Sequence, residues 1–148
     1  MQKITPFLWY DGKAEEAMHF YLSIFKNGKV ISVNRMGTDG PVISVSFELE
    51  GQQFHALNGG SMFQFTPAIS FFVDCNTQQE VDELWEKLSE GGSQDRCGWL
   101  KDKYGLSWQI IPSILGELLS SKEPGRSDRA MQAMLKMNKI IIADLLQA

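Results

Sequence analysis

Apolar and polar positions along this chain change period several times, and the changes mark out its elements. Ile4, Thr5, Pro6, Phe7, Leu8, Trp9 and Tyr10 form a short apolar run that predicts a strand over 4–10. Asp11-Gly12 then opens a stretch in which Ala14, Ala17, Met18, Tyr21, Ile24 and Phe25 recur at the spacing of one helical face, and Asn27-Gly28 stops it. Strands are predicted at 29–36 and 42–49, and Glu50-Gly51 has the size of a two-residue hairpin turn into a strand at 52–58.

The pattern restarts at a strand over 68–74. Thr77-Gln78-Gln79-Glu80 reads as a capping box, followed by the apolar stripe Val81, Leu84, Trp85 and Leu88 and a stop at Gly91-Gly92. Strands at 96–102 and 106–112, joined through Lys103-Tyr104-Gly105, finish the copy. A β-α-β-β-β order met twice indicates a duplication, with modules at 3–60 and 67–112 inside one α+β domain spanning 1–148. The tail, 113–148, does not repeat. It reads as a short helix from Ile114 to Leu119, a loop at Lys122-Glu123-Pro124-Gly125, a helix capped by Ser127, and a last apolar stretch from Ile140 to Leu146. Met131, Met134, Leu135 and Met137 stripe the second of these, and so apolar a tail must pack on its own module or on another subunit.

Alternation assigns side chains to faces, because neighbouring strand residues point opposite ways. In 42–49, Ile43, Val45, Phe47 and Leu49 form the set for the helices, leaving Ser44, Ser46 and Glu48 on the other face. The Glu50-Gly51 turn then sets Ser46 opposite His55 and Phe47 opposite Phe54, so His55 and Leu57 lie away from the helices. In the last hairpin Trp108 and Ile110 turn inward, and Ser107 and Gln109 outward. A three-residue loop with Gly105 left-handed pairs Trp99 with Gln109 and brings Cys97 to that face; a two-residue turn would put Leu100 there instead. The same count on the leading strands gives Ile4, Pro6 and Leu8, then Ala68, Ser70 and Phe72. His55 and Gln109 each follow a turn glycine by four positions. The expectation is one shared concave cleft, mainly apolar, lined by His55, Gln109, Trp99, Ser46, Ser107, Phe72, Leu57 and Cys97, for a small and largely apolar ligand.

Composition narrows the function classes. The chain has 148 residues, 43% of them hydrophobic and 22% charged, with a formal net charge of −4. That balance, without clustered Lys and Arg, argues against nucleic acid or an anionic membrane surface as partner. No apolar run approaches the roughly 20 residues of a membrane span, and no signal peptide precedes Lys3-Ile4-Thr5-Pro6. Cys75 and Cys97 make no CxxC pair, so neither a disulfide framework nor a zinc site is indicated and a reduced, cytoplasmic protein is expected.

Individual candidates have competing readings. His55 is a candidate catalytic acid/base or ligand contact, or a hydrogen-bonded histidine near a hairpin end. Cys97 is a nucleophile if a base lowers its pKa, and otherwise a small buried thiol. Trp99 stacks on a planar ligand or fills the cleft. His19 reads as structural or exposed, the methionine stripe as core or subunit contact, and Lys101, Asp102 and Lys103 as a solvated charged turn.

Thr5-Pro6-Phe7-Leu8-Trp9, Ala14-Glu15-Glu16-Ala17, Phe20-Tyr21, Leu57-Asn58-Gly59-Gly60, Cys97-Gly98-Trp99-Leu100-Lys101-Asp102 and Ser107-Trp108-Gln109-Ile110 resemble the PhnB-like branch of the vicinal-oxygen-chelate (glyoxalase/bleomycin-resistance/dioxygenase) superfamily. The branch often carries a demethylubiquinone methyltransferase label. The resemblance implies paired βαβββ modules, a cleft in a curled mixed sheet and commonly a homodimer. Metal-using relatives draw ligands from the first and fourth strand of each module. Those positions here are Ile4, His55, Ala68 and Gln109, of which Ile4 and Ala68 cannot ligate, so no metal and no cofactor are expected. No glycine-rich loop between a strand and a helix matches a methyl-donor nucleotide site, and Asn58-Gly59-Gly60-Ser61 reads as a linker turn. The leading expectation is a metal-free small-molecule-binding homodimer. The alternatives are an enzyme using His55, with Cys97 or Glu48, for isomerisation, lyase chemistry or group transfer, metal-independent before metal-dependent, and a structural partner that exchanges its tail.

Overall fold

The computed structural model describes residues 2–148, which divide into two compact units between Phe65 and Thr66. The first unit runs β1 (Phe7–Tyr10), α1 (Ala14–Ile24), β2 (Gly28–Arg35), β3 (Val42–Leu49) and β4 (Gln52–Asn58). Its sheet has the order β1-β4-β3-β2, with β1 parallel to β4 and the other pairs antiparallel. The alternation in β3 decides which face is covered. Val45, Phe47 and Leu49 are buried, together with Phe54 and Ala56 of β4 and Ala14, Ala17, Met18 and Tyr21 of α1. Phe47 stacks on Phe54 with ring centroids 5.4 Å apart, and the Tyr10 and Tyr21 hydroxyls share a hydrogen bond of 2.9 Å.

Two local devices fix this unit. The β3–β4 turn has positive φ at both Glu50 (49°) and Gly51 (84°), the twist that lets a two-residue turn join antiparallel strands without splaying them. The first turn of α1 is capped from a distance: Asn58 Oδ1 accepts the Ala14 N–H at 2.8 Å while its Nδ2 donates to the Val42 carbonyl at 3.1 Å. Gly59, next in line, lies under the Trp9 indole, where an added Cβ would meet the ring at 2.4 Å. Gly59 is therefore required by the packing of β1, and Gly60 by its positive φ of 99°.

The second unit repeats the order with β5 (Ser70–Cys75), α2 (Gln78–Ser89), β6 (Ser93–Gln94), β7 (Trp99–Lys101) and β8 (Ser107–Pro112), and its sheet runs β5-β8-β7-β6. The two sheets thus share one topology strand for strand, which demonstrates the expected duplication. Thr77 caps α2 by accepting the Glu80 N–H at 3.1 Å, and the Glu80 carboxylate accepts from Asn76 N–H at 2.8 Å, one residue earlier than the simplest capping box. Val81, Leu84, Trp85 and Leu88 are buried beneath the sheet beside Leu100, Trp108 and Ile110.

The tail forms α3 (Ser113–Leu119), α4 (Arg126–Leu135) and α5 (Ile142–Gln147) and packs on its own second module. Ile111 of β8, Leu115, Leu118, Ala130, Met137, Ile140 and Leu145 make one buried cluster. Gln78 ties it to α2: its Nε2 donates to the Ile140 carbonyl at 3.0 Å and its Oε1 accepts the Ile142 N–H at 2.7 Å.

Four expectations are corrected. β1 starts at Phe7, and Leu8, not Phe7, faces the helix; every residue from Pro6 to Tyr10 is apolar or aromatic, so alternation there had no sign to read. The strand expected at 96–102 is confined to 99–101, preceded by the short β6, and Cys97 stands off it in a turn at φ 60°. The helix expected from Ser127 is preceded by Gly125 in the left-handed region (φ 78°), and Met137 lies beyond its end. Asp102 is not solvated. It is 2% exposed and accepts N–H groups from Tyr104 (2.9 Å), Leu106 (3.1 Å) and the Trp108 indole (3.0 Å), so the carboxylate organises the β7–β8 turn around itself.

Candidate functional site

Register defines the face of each sheet turned away from its helix. In the first module Ser46 pairs with His55, and His55 with Phe7; Ser32 on β2 pairs with Ser46. One row therefore reads Ser32, Ser46, His55, Phe7 across all four strands. The next row reads Asn34, Ser44, Leu57, Trp9. Hydroxyls and an amide occupy the β2–β3 half of this face, and rings and an aliphatic side chain the β4–β1 half.

His55 sits at the seam. Its Nδ1 lies 2.7 Å from Ser46 Oγ, and its ring is tilted 48° against Phe7 with centroids 5.3 Å apart. The Ser46 contact occupies Nδ1, so Nε2 is the nitrogen available to a ligand or a proton. Phe7 is 61% exposed beside a half-buried imidazole, and Glu48, the carboxylate on this face, pairs with Gln53 one row from His55. In the following row Trp9 is held by its indole N–H on the Gly60 carbonyl (2.8 Å) and by Phe63 edge-on at 4.9 Å.

The second module carries the corresponding row Trp99, Gln109, Phe72. Gln109 stands where His55 stands, Phe72 where Phe7 stands and Trp99 where Ser46 stands. Gln109 Nε2 donates to Ser70 Oγ at 2.9 Å, and Phe72 is 60% exposed. One row toward the start of β8, Ser70, Ser107 and Lys101 align, and Ser107 is buried. At the far end the position of Leu57 is taken by Ile111, buried under the tail.

Placed against the sequence candidates, Ser46, His55 and Leu57 share the open face of the first sheet, and Phe72, Trp99, Ser107 and Gln109 that of the second. Cys97 does not join them: its N–H donates to the Met137 carbonyl at 2.8 Å from the turn before β7. Cys75 belongs to the core, where burial first, and then the charges of Glu80 and Asp74, push its thiol up to about 12 and keep it protonated and inert. His19 is exposed on α1. Sequence reasoning missed Phe7 and Ser32. Nothing in the apolar leading strand marks Phe7, and a register shift between Val30 and Ser32 moves Ser32 onto the His55 row.

The residues present do not suit a chelated metal. Ile4 is 85% exposed before β1, and Ala68 precedes β5 on the surface. Neither Ile4 nor Ala68 has a donor atom, and among the described residues no three His, Cys, Asp or Glu side chains gather into a metal-holding group. A shallow depression of about 330 Å³ along α4, between Arg129, Gln132 and Lys136, contains none of the candidate side chains. No helix among the described residues is long and apolar enough to cross a membrane.

Comparison with known proteins adds three observations. A family model described as 3-demethylubiquinone-9 3-methyltransferase matches residues 2–111. No curated protein gives a significant match. Among solved structures, the PhnB protein from Bacillus cereus is 40% identical over 76% of this chain and 100% of its own, with a TM-score of 0.70. Two more distant structures share the fold. The fosfomycin resistance protein FosX from Listeria monocytogenes, complexed with Mn(II) and sulfate, is 18% identical over 73% of this chain and 90% of its own, with a TM-score of 0.55. A glyoxalase/bleomycin resistance protein from Albidiferax ferrireducens is 12% identical over 72% and 96%, with a TM-score of 0.50.

Proposed function

The chain belongs to the PhnB-like family whose model is described as 3-demethylubiquinone-9 3-methyltransferase, within the glyoxalase/bleomycin-resistance (vicinal-oxygen-chelate) superfamily, and from that premise we propose that it is a metal-free small-molecule-binding protein acting as a homodimer. The observation that carries this reading is the row through His55: one ring nitrogen bonded to Ser46, the ring faced by an exposed phenyl, hydroxyls on one side and apolar groups on the other. Such a surface suits an organic molecule with one polar edge, held by a few directed hydrogen bonds over apolar contact. FosX is complexed with Mn(II); of the four positions carried over from metal-using relatives, Ile4 and Ala68 offer no donor atom here, which supports the metal-free reading.

The methyltransferase description is not taken over as an activity. One N–H in the first turn of each of α1 and α2 is claimed by Asn58 and Thr77, and neither helix opens with a glycine-rich cradle. A second reading, a metal-independent enzyme, is favoured by one observation: His55 Nε2 is left for proton transfer on the same face as Glu48. Purified protein, dialysed and then denatured, tests the first reading by mass spectrometry and elemental analysis. The expected result is an extractable organic ligand, or protection by organic fragments, with metal far below one equivalent. Equimolar divalent metal retained through dialysis contradicts it.

A further inference from the structure

Ser107 Oγ is sealed from solvent and has no hydrogen-bond partner among the described residues. Leaving a buried hydroxyl unpaired costs about 1–3 kcal/mol, so such a group calls for a partner beyond the protein's own groups, a water or a ligand. Its surroundings indicate what that is. In register on either side stand Ser70 and Lys101, all three on the face that carries Gln109. Ser70 Oγ already accepts from Gln109, so its own hydrogen is free to donate; Gln109 retains a second N–H. Lys101 is half-buried and has no ion-pair partner among the described residues. The carboxylate sharing this face, Asp74, lies two rows away at the other end of β5 and accepts from Ser113.

Resting on the reading of this face as a binding surface, we propose that Lys101, Ser107, Ser70 and Gln109 form an oxyanion subsite for the carboxylate of a planar organic acid, whose body lies along Trp99 and Phe72. Three neutral donors and a single ammonium balance one negative charge. A phosphate dianion would leave a charge over, and an uncharged carbonyl would leave Lys101 unmatched. The planar body follows from the aromatic side chains flanking Gln109 in its row, one of them 60% exposed.

The test is an NMR titration of the full chain with benzoate and with benzyl alcohol, which has a similar ring and no charge. Shifts are followed at the Gln109 carboxamide and the Trp99 indole. The expected result is benzoate binding that weakens about tenfold in Lys101→Gln and several-fold in Ser107→Ala, and is retained in Lys101→Arg, with benzyl alcohol affinity unchanged throughout. Ser107→Ala removes an unpaired group, so its melting temperature is expected not to fall, which separates binding loss from misfolding. Equal binding of both probes, or benzoate binding indifferent to Lys101 and Ser107, overturns the oxyanion subsite while leaving a neutral-ligand face standing. A trapped water as the sole partner of Ser107 would give that indifference. Failure of both probes to shift Gln109 or Trp99 overturns the subsite and the binding reading of this module together.

Discussion

The two modules have one topology and one register, and they differ where chemistry is possible. At matching points, module one presents Ser46, His55 and Phe7, and module two presents Trp99, Gln109 and Phe72. The backbone conserves a phenyl at one side of the row and a planar polar group in the middle. The middle of the row is an imidazole in module one and an amide in module two. The modules also end differently: Leu57 stays half-buried in module one, whereas Ile111 is covered by the tail in module two. One frame thus carries two different faces: a hydroxyl and imidazole row in module one, and in module two an aromatic and amide row beside Ser70, Ser107 and Lys101, with its far end closed by the tail.

The largest effect expected to sharpen the contrast lies in the hairpin turns. Module one turns on the positive φ of Glu50-Gly51, with the exposed Glu50 carboxylate accepting from Asn27, while module two turns around the buried Asp102 carboxylate and its three donors. Asp102→Ala is expected to cost about 3 kcal/mol, since three N–H groups, two of them in buried bonds, lose their acceptor, and to shift Trp99 and Gln109 with the hairpin. Denaturant unfolding checks this, and a loss below about 1 kcal/mol would make the two turns energetically alike. Next comes the tail. Gln78→Ala removes two hydrogen bonds between α2 and the segment before α5, at an expected cost of about 2 kcal/mol. Hydrogen exchange should quicken in 140–147 and leave module one untouched; uniform quickening would mean that the tail supports both modules.

A smaller effect concerns the ends of the leading strands, where Tyr10 and Cys75 hold equivalent positions. Tyr10 satisfies its hydroxyl on Tyr21; Cys75 is a buried thiol raised to about 12 from an ordinary 9.0. A raised folded value means that stability is fully present below pH 9.0 and is lost as pH climbs toward 12, because the unfolded chain ionises first. Cys75→Ala should therefore show a flatter alkaline stability profile than the parent, and in the native parent a thiol reagent should label Cys97 well before Cys75. Equal labelling would contradict the burial argument.

Much of this was legible in the chain. The β3 alternation and the Glu50-Gly51 turn together determined the Ser46–His55 and Phe47–Phe54 pairs, because a period of two leaves no freedom once a turn is placed; at Gly105 two turn lengths stayed open, and the structure takes the one that pairs Trp99 with Gln109. The rest was hidden for physical reasons. Pro6 to Tyr10 has no polar residue to betray its inner face, so Phe7 went unseen. Asp102 between two lysines reads as a surface turn, and only tertiary donors reveal that it is buried. Cys97 lost its strand to a left-handed turn anchored on Met137, a contact 40 residues away in sequence.

The central claim is that His55 and Gln109 carry hydrogen-bonded organic recognition and not a chelate. Adding Mn(II) to isotopically labelled protein and following paramagnetic broadening of the His55 imidazole and the Gln109 carboxamide tests it most directly. The account predicts sharp signals from both at one equivalent of metal, with ordinary weak broadening at surface carboxylates. Selective disappearance of both signals at substoichiometric Mn(II) would contradict it.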